Sequence, residues 1–176
     1  MIRLIKKINN ETLYWQVWKV GEPVFIQSGT LGVSGEKEEL KLNSSDSSTK
    51  IIRSLAEEKL MQGYELVGEK ALIQIVVQYR YGDKEQFAEI EEKCLFVEVL
   101  LDHALFNTGN GEVIGFEIGD GGGTHHLYVV DVKVAFETIL KELSTHNLLE
   151  GVEIAFLKEN GGYSSLYPKG VDFEPL

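Results

Sequence analysis

The chain reads as an α+β protein in two parts, and three observations predict it. Aromatic and β-branched runs separated by turn residues fill the first forty residues, ahead of one amphipathic helix. From Ala71 onward, strand-like and helix-like runs follow in the order β-α-β-β-α-β. Charge divides at the same place. Residues 1–70 carry 10 basic and 10 acidic side chains, whereas residues 71–176 carry 7 and 18, so the second part holds the whole net charge of −11. A boundary near Gly68 follows, with domains at 1–68 and 71–176.

In the first part, Met1 to Ile8 is a short strand with apolar Ile2, Leu4 and Ile8. Asn9-Asn10-Glu11 turns it into the aromatic strand Tyr14 to Val20, and Gly21-Glu22-Pro23 turns that into Val24 to Gln27. A glycine series follows, Ser28-Gly29-Thr30-Leu31-Gly32-Val33-Ser34-Gly35, and then a strand over Glu36 to Leu42. The polar run Asn43 to Thr49 supplies N-cap residues for a helix over Lys50 to Met61, with Ile51, Ile52, Leu55, Ala56 and Leu60 at helical spacing and Gly63 beyond its end. Glu65 to Lys70 is a link.

The second part opens on Ala71 to Tyr79, a β-branched run expected to be a central strand. Gly82 breaks it, and Asp83 with Gln86 forms a capping box. The helix over about Lys84 to Phe106 repeats Phe87, Ile90, Cys94, Val97, Leu101 and Ala104 as its buried stripe. Phe96, Val99 and Leu100 widen that apolar face, which implies either deep burial or contact with a second surface. Two paired strands follow, Glu112 to Ile118 and Thr124 to Asp131. Asp131 is placed to cap a helix over Val132 to Leu149, and Val152 to Leu157 is a final strand. This order predicts a ferredoxin-like sandwich, two helices on one face of a four-stranded sheet, with an irregular tail from Lys158.

The first two fifths of the chain resemble a WGR domain. Tyr14 and Trp15 match the aromatic pair of that family's first strand; Gly29, Gly32 and Gly35 match its glycine spacing; Lys59, Leu60, Gly63 and Tyr64 match the close of its helix. The position of the name-giving tripeptide reads Ser28-Gly29-Thr30. The resemblance implies a small antiparallel sheet crossed by one helix, and a non-catalytic binding or regulatory module that is nucleic-acid-associated through this region.

The chemistry-bearing residues are few. Trp15 and Trp18 lie on opposite faces of one strand, so one belongs to the core and the other to a contact surface. Trp15, Trp18, Lys19, Thr30 and Lys37 are the candidate binding residues of the first domain. Asp120 and His125 are those of the second, beside the loop Gly119-Asp120-Gly121-Gly122-Gly123. That loop joins two strands, so no helix N-terminus waits for a phosphate. His125 and His126 point to opposite faces, and no paired-ligand spacing is present; neither a metal, a cofactor nor a catalytic residue is expected. A single cysteine, Cys94, excludes an internal disulfide and fits a cytoplasmic, bacterial-type protein. No apolar run of membrane length occurs. Two partner classes stay open: nucleic acid at the first domain, through Arg3, Lys6, Lys7, Lys19, Lys37 and Lys41, and a basic protein at the acidic second domain, as for an adaptor or immunity-type protein.

Overall fold

A computed structural model of the protein describes residues 1–42, 47–81, 87–119 and 121–176. The expected capping box at Asp83 and Gln86 and the candidate Asp120 lie outside them. The structure is α+β, with two antiparallel five-stranded sheets and three helices among the described residues. Its contacts divide it into two units: Met1–Ala71 with Asn107–Gly109, and Leu72–Phe106 with Asn110–Leu176.

The first unit is a meander. Strands β1 (Ile2–Ile8), β2 (Glu11–Lys19), β3 (Val24–Thr30) and β4 (Glu36–Leu40) pair in sequence, and β5 (Glu65–Leu66) adds to the free edge of β1. The β1–β2 hairpin closes on Asn9, whose φ of +55° is tolerated by an Asn side chain. Helix α1 (Ser48–Met61) covers one face, where Ala56 meets Leu4, Trp15, Val17 and Val24. Gly63, at φ +85°, ends it in the left-handed conformation that helix termini favour. Glu65 and Leu66, expected in a link, are strand instead: they pair with Ile5 and Leu4.

The second unit contains β6 (Ile73–Arg80), α2 (Phe87–Asn107, its last residue counted with the first unit), β7 (Gly111–Gly119), β8 (Gly122–Val129), α3 (Val132–Thr145), β9 (Val152–Leu157) and β10 (Tyr163–Tyr167). The sheet runs β10-β9-β6-β8-β7: β6 and β8, which open the two βαβ halves, lie side by side, and β9 and β7, which close them, lie outside them, as the ferredoxin-like pattern requires. Both helices pack on one face. Val97, Leu101 and Leu105 of α2 join Ala135, Ile139 and Leu143 of α3 over Ile75, Val77, Leu127, Val129 and Ile154. Asp131 caps α3 as expected, its carboxylate accepting from Val134 N at 3.0 Å. The tail corrects the sequence reading. Residues 163–167 form an edge strand on β9, because Tyr163, Leu166 and Tyr167 can pack on an open sheet edge.

Candidate functional site

The candidate residues of the first unit separate across its sheet. Trp15 is a core residue of the α1 face, not a contact residue. Trp18 lies on the other face, stacked on Phe25 at 5.7 Å between ring centroids, with Lys37 Nζ over both rings at 5.3 and 4.5 Å. Lys19 donates to Ser48 Oγ at 3.1 Å. Thr30 closes β3, and its carbonyl accepts from Val33 N. The cations are not pooled. Arg3 is buried and donates to Gln16, which donates to Gln27, which donates to Asn107 O. Three exposed acids, Glu36, Glu38 and Glu39, share β4 with Lys37.

The glycine series has a packing origin. Gly32 adopts φ +88°. Gly29 and Gly35 instead make room for Tyr14: a Cβ on either would press on its ring or hydroxyl, and a Cβ on Gly109 would overlap the ring. Tyr14 donates its hydroxyl proton to Asn107 O at 2.8 Å, and the same oxygen accepts from Gln27 Nε2 at 3.0 Å and Gly35 N at 3.2 Å. Burial pushes the Tyr14 phenol up, so it stays a donor. Gly29, Gly35 and Gly109 therefore make room for a tyrosine.

A separate basic cluster sits at the end of α1. Lys6 donates to Gln62 O at 2.7 Å, and Lys6 and Lys59 lie 5.8 and 5.6 Å from the Tyr64 ring centre. Lys6 and Lys7 line a shallow pocket of about 190 Å³ with Ile5, Gly63 and Glu65.

In the second unit, His125 is wholly buried, which corrects its expected place at a binding edge. Its alternation on β8 turns it toward α2 while His126 turns the other way. The ring nitrogens lie 3.2 Å from Val77 O and 2.9 Å from Cys94 O, with Phe116 tilted against the ring. A neutral imidazole can donate to only one of these carbonyls. Burial nevertheless dominates and lowers the pKa, the two carbonyls opposing it. On the same face, Lys93 Nζ sits 3.8 Å from the Tyr79 ring centre, and burial pushes the Tyr81 phenol up to about 12.

Two further surfaces of this unit present side chains outside the candidate set. On α2, Leu95, Phe96 and Val99 are 49%, 49% and 67% exposed. They form a second stripe at i, i+1, i+4, beside exposed Glu91 and Glu92, and Phe96 meets the His146 ring edge-on at 5.7 Å. Phe96 and Val99 belong to the widened apolar face for which the sequence left deep burial and contact with a second surface open; their exposure excludes deep burial, and Leu95 joins them. The second surface is the sheet face away from the helices. There His126 bridges Gln74 and Glu117, at 3.2 and 3.1 Å, and Arg80 pairs with Glu153. The alternating Gln74, Gln78 and Arg80 of β6 carried that signal. Among the described residues, no three His, Cys, Asp or Glu side chains converge as a metal set, and no helix is long and apolar enough to cross a membrane.

No protein-family model, curated protein or solved structure matches the chain.

Proposed function

We propose that the chain is a non-catalytic binding protein whose acidic second unit docks a basic protein segment on the outer stripe of α2. The observation that supports this reading is the exposed set Leu95, Phe96 and Val99 with carboxylates beside it. Contiguous exposed apolar residues are a poor solution for a soluble surface unless a partner covers them, and an aromatic centre is the commonest anchor of such contacts. Glu91 and Glu92 lie one turn before the stripe and favour a cationic partner. A basic amphipathic helical peptide of leucine and lysine is the probe, titrated calorimetrically into the full chain. Saturable binding that weakens with salt is expected, with Phe96→Asp and Val99→Asp each lowering affinity at least about tenfold. No binding at low salt, or binding indifferent to both substitutions, refutes the reading.

A second reading, nucleic-acid association by the WGR-like first unit, is favoured by one feature: Lys6 and Lys59 flank Tyr64, with Lys7 in the same pocket. Anisotropy with labelled single- and double-stranded DNA and RNA tests it. Salt-sensitive binding abolished by Lys6→Glu with Lys59→Glu supports it, and no binding at low salt retires it.

A further inference from the structure

Along the outer side of α2, exposed residues recur as Glu92, Phe96, Val99 and His103, at spacings of four, three and four. At about 100° per residue this spacing keeps all four on one narrow line. The buried residues of the same helix, Ile90, Cys94, Val97 and Leu101, lie on the opposite side, so the line points away from the sheet. Exposed Leu95 borders it.

The chemistry along this line is self-complementary. Phe96 and Val99 are centred on the point between Val97 and Glu98, and Glu92 and His103 are centred on the same point. A second copy laid antiparallel across the first, about a two-fold axis through that point, sets Phe96 against Val99 of the second copy and Glu92 against its His103, each pair occurring twice. A large ring then meets a small branched side chain, so each layer fills without crowding. A carboxylate meets an imidazole whose ring N–H can donate to it. A parallel copy would instead oppose Glu92 to Glu92 and His103 to His103.

Such a contact is small. About three helical turns from each copy bury less than about 1,200 Å² in total, the range of weak and reversible association. Each copy also carries a net charge of −11, so long-range repulsion opposes pairing. Salt screens that repulsion and leaves the apolar layers intact, so pairing strengthens with salt. Docking of a basic segment on the same stripe weakens with salt, which separates the two processes.

We propose that two copies of this chain pair antiparallel through the outer stripe of α2, and that this pairing masks the stripe until a basic partner displaces the second copy. The displacement rests on the stripe docking a basic segment; the pairing stands without it.

Sedimentation velocity of the full chain, from micromolar to near-millimolar concentration, tests the pairing. A monomer–dimer equilibrium is expected, several-fold tighter at high salt than at low. Val99→Asp and His103→Glu, both at exposed positions, should each weaken it at least about tenfold. Labelled His103→Glu chain should regain association when mixed with Glu92→Arg chain, because the new guanidinium then faces the new carboxylate. Mild oxidation should join a Glu92→Cys chain to a His103→Cys chain, but not two Glu92→Cys chains, whose thiols would lie about 16 Å apart; Cys94 is buried and stays out of the reaction. A monomer at every concentration in high salt, a dimer indifferent to Val99→Asp and His103→Glu, or cross-linking of Glu92→Cys chains alone overturns the pairing. The leucine–lysine peptide should dissociate the dimer. A dimer that the peptide leaves intact overturns the masking, whereas peptide binding to a chain that never pairs overturns the pairing and leaves the docking of a basic segment standing.

Discussion

Replacing Gly109 by alanine tests whether the glycines of the first unit exist to seat Tyr14. Gly109 has φ +69°, which costs an alanine roughly 1–2 kcal/mol by itself. The new Cβ would also fall among the Cγ and Cδ atoms of the Tyr14 ring, an overlap worth about 1–3 kcal/mol of overpacking. The single substitution should therefore cost about 2–5 kcal/mol. Tyr14→Ala costs roughly 3–5 kcal/mol from the emptied ring site. In the double variant the overlap has nothing to overlap, so only the backbone cost of the alanine remains. The two changes together should cost about 1–3 kcal/mol less than their sum. Both tryptophans, Trp15 and Trp18, belong to the first unit, so selective tryptophan fluorescence in urea follows that unit alone. Trimethylamine N-oxide keeps the weaker variants folded at the start of each titration. Tyr14→Phe is the milder control. It leaves Asn107 O with two of its three donors and should cost about 0.5–1.5 kcal/mol. Additivity within about 0.5 kcal/mol would refute the seating of the ring against Gly109.

Three further outcomes follow from the second unit. His125 is neutral in the fold with a lowered pKa, so below about pH 6.5 the unfolded chain takes up a proton that the fold does not. Stability should then be fully present above that pH and fall by up to about 1.4 kcal/mol per pH unit below it; urea midpoints by ellipticity should lose this slope in His125→Asn. Cys94 is fully buried and burial raises its thiol pKa, so alkylation of the native chain should run at least about a hundredfold slower than in urea, and its rate reports opening of this unit alone. Asp131→Ala removes the acceptor of Val134 N and should cost about 1 kcal/mol, read by the same alkylation in urea.

Most of the fold was legible because each long element carries its own period. The α2 stripe from Ile90 to Ala104 and the β-branched run of β6 fixed their types without outside information. Short elements did not announce themselves. Two residues of β5 have no period to detect, and β10 follows Gly161-Gly162 with two serines at its centre, so its strand character depends on the β9 edge beside it. The sites were less legible, for a related reason. Trp18 and Lys37 are close in the sheet and were expected to serve together. His125 sits beside a glycine loop that suggests exposure, and only the helix packed above it makes it buried. The hydrogen bonds from Gln78 and Arg80 to Glu174 O join positions more than ninety residues apart, which no local pattern encodes.

The buried line from Arg3 through Gln16 to Gln27 has a consequence for strand alignment. These three residues are directly opposite one another on β1, β2 and β3. Sliding one strand by a single residue would turn its apolar side chains to the wrong face, so alternation already forbids every odd slip. A slip of two residues keeps alternation intact and would pass that filter. It would, however, set Gln16 opposite Ile5 or Met1 and leave amide groups buried without partners, at about 1–3 kcal/mol for each. The polar rung thus discriminates among the misalignments that hydrophobic patterning cannot tell apart.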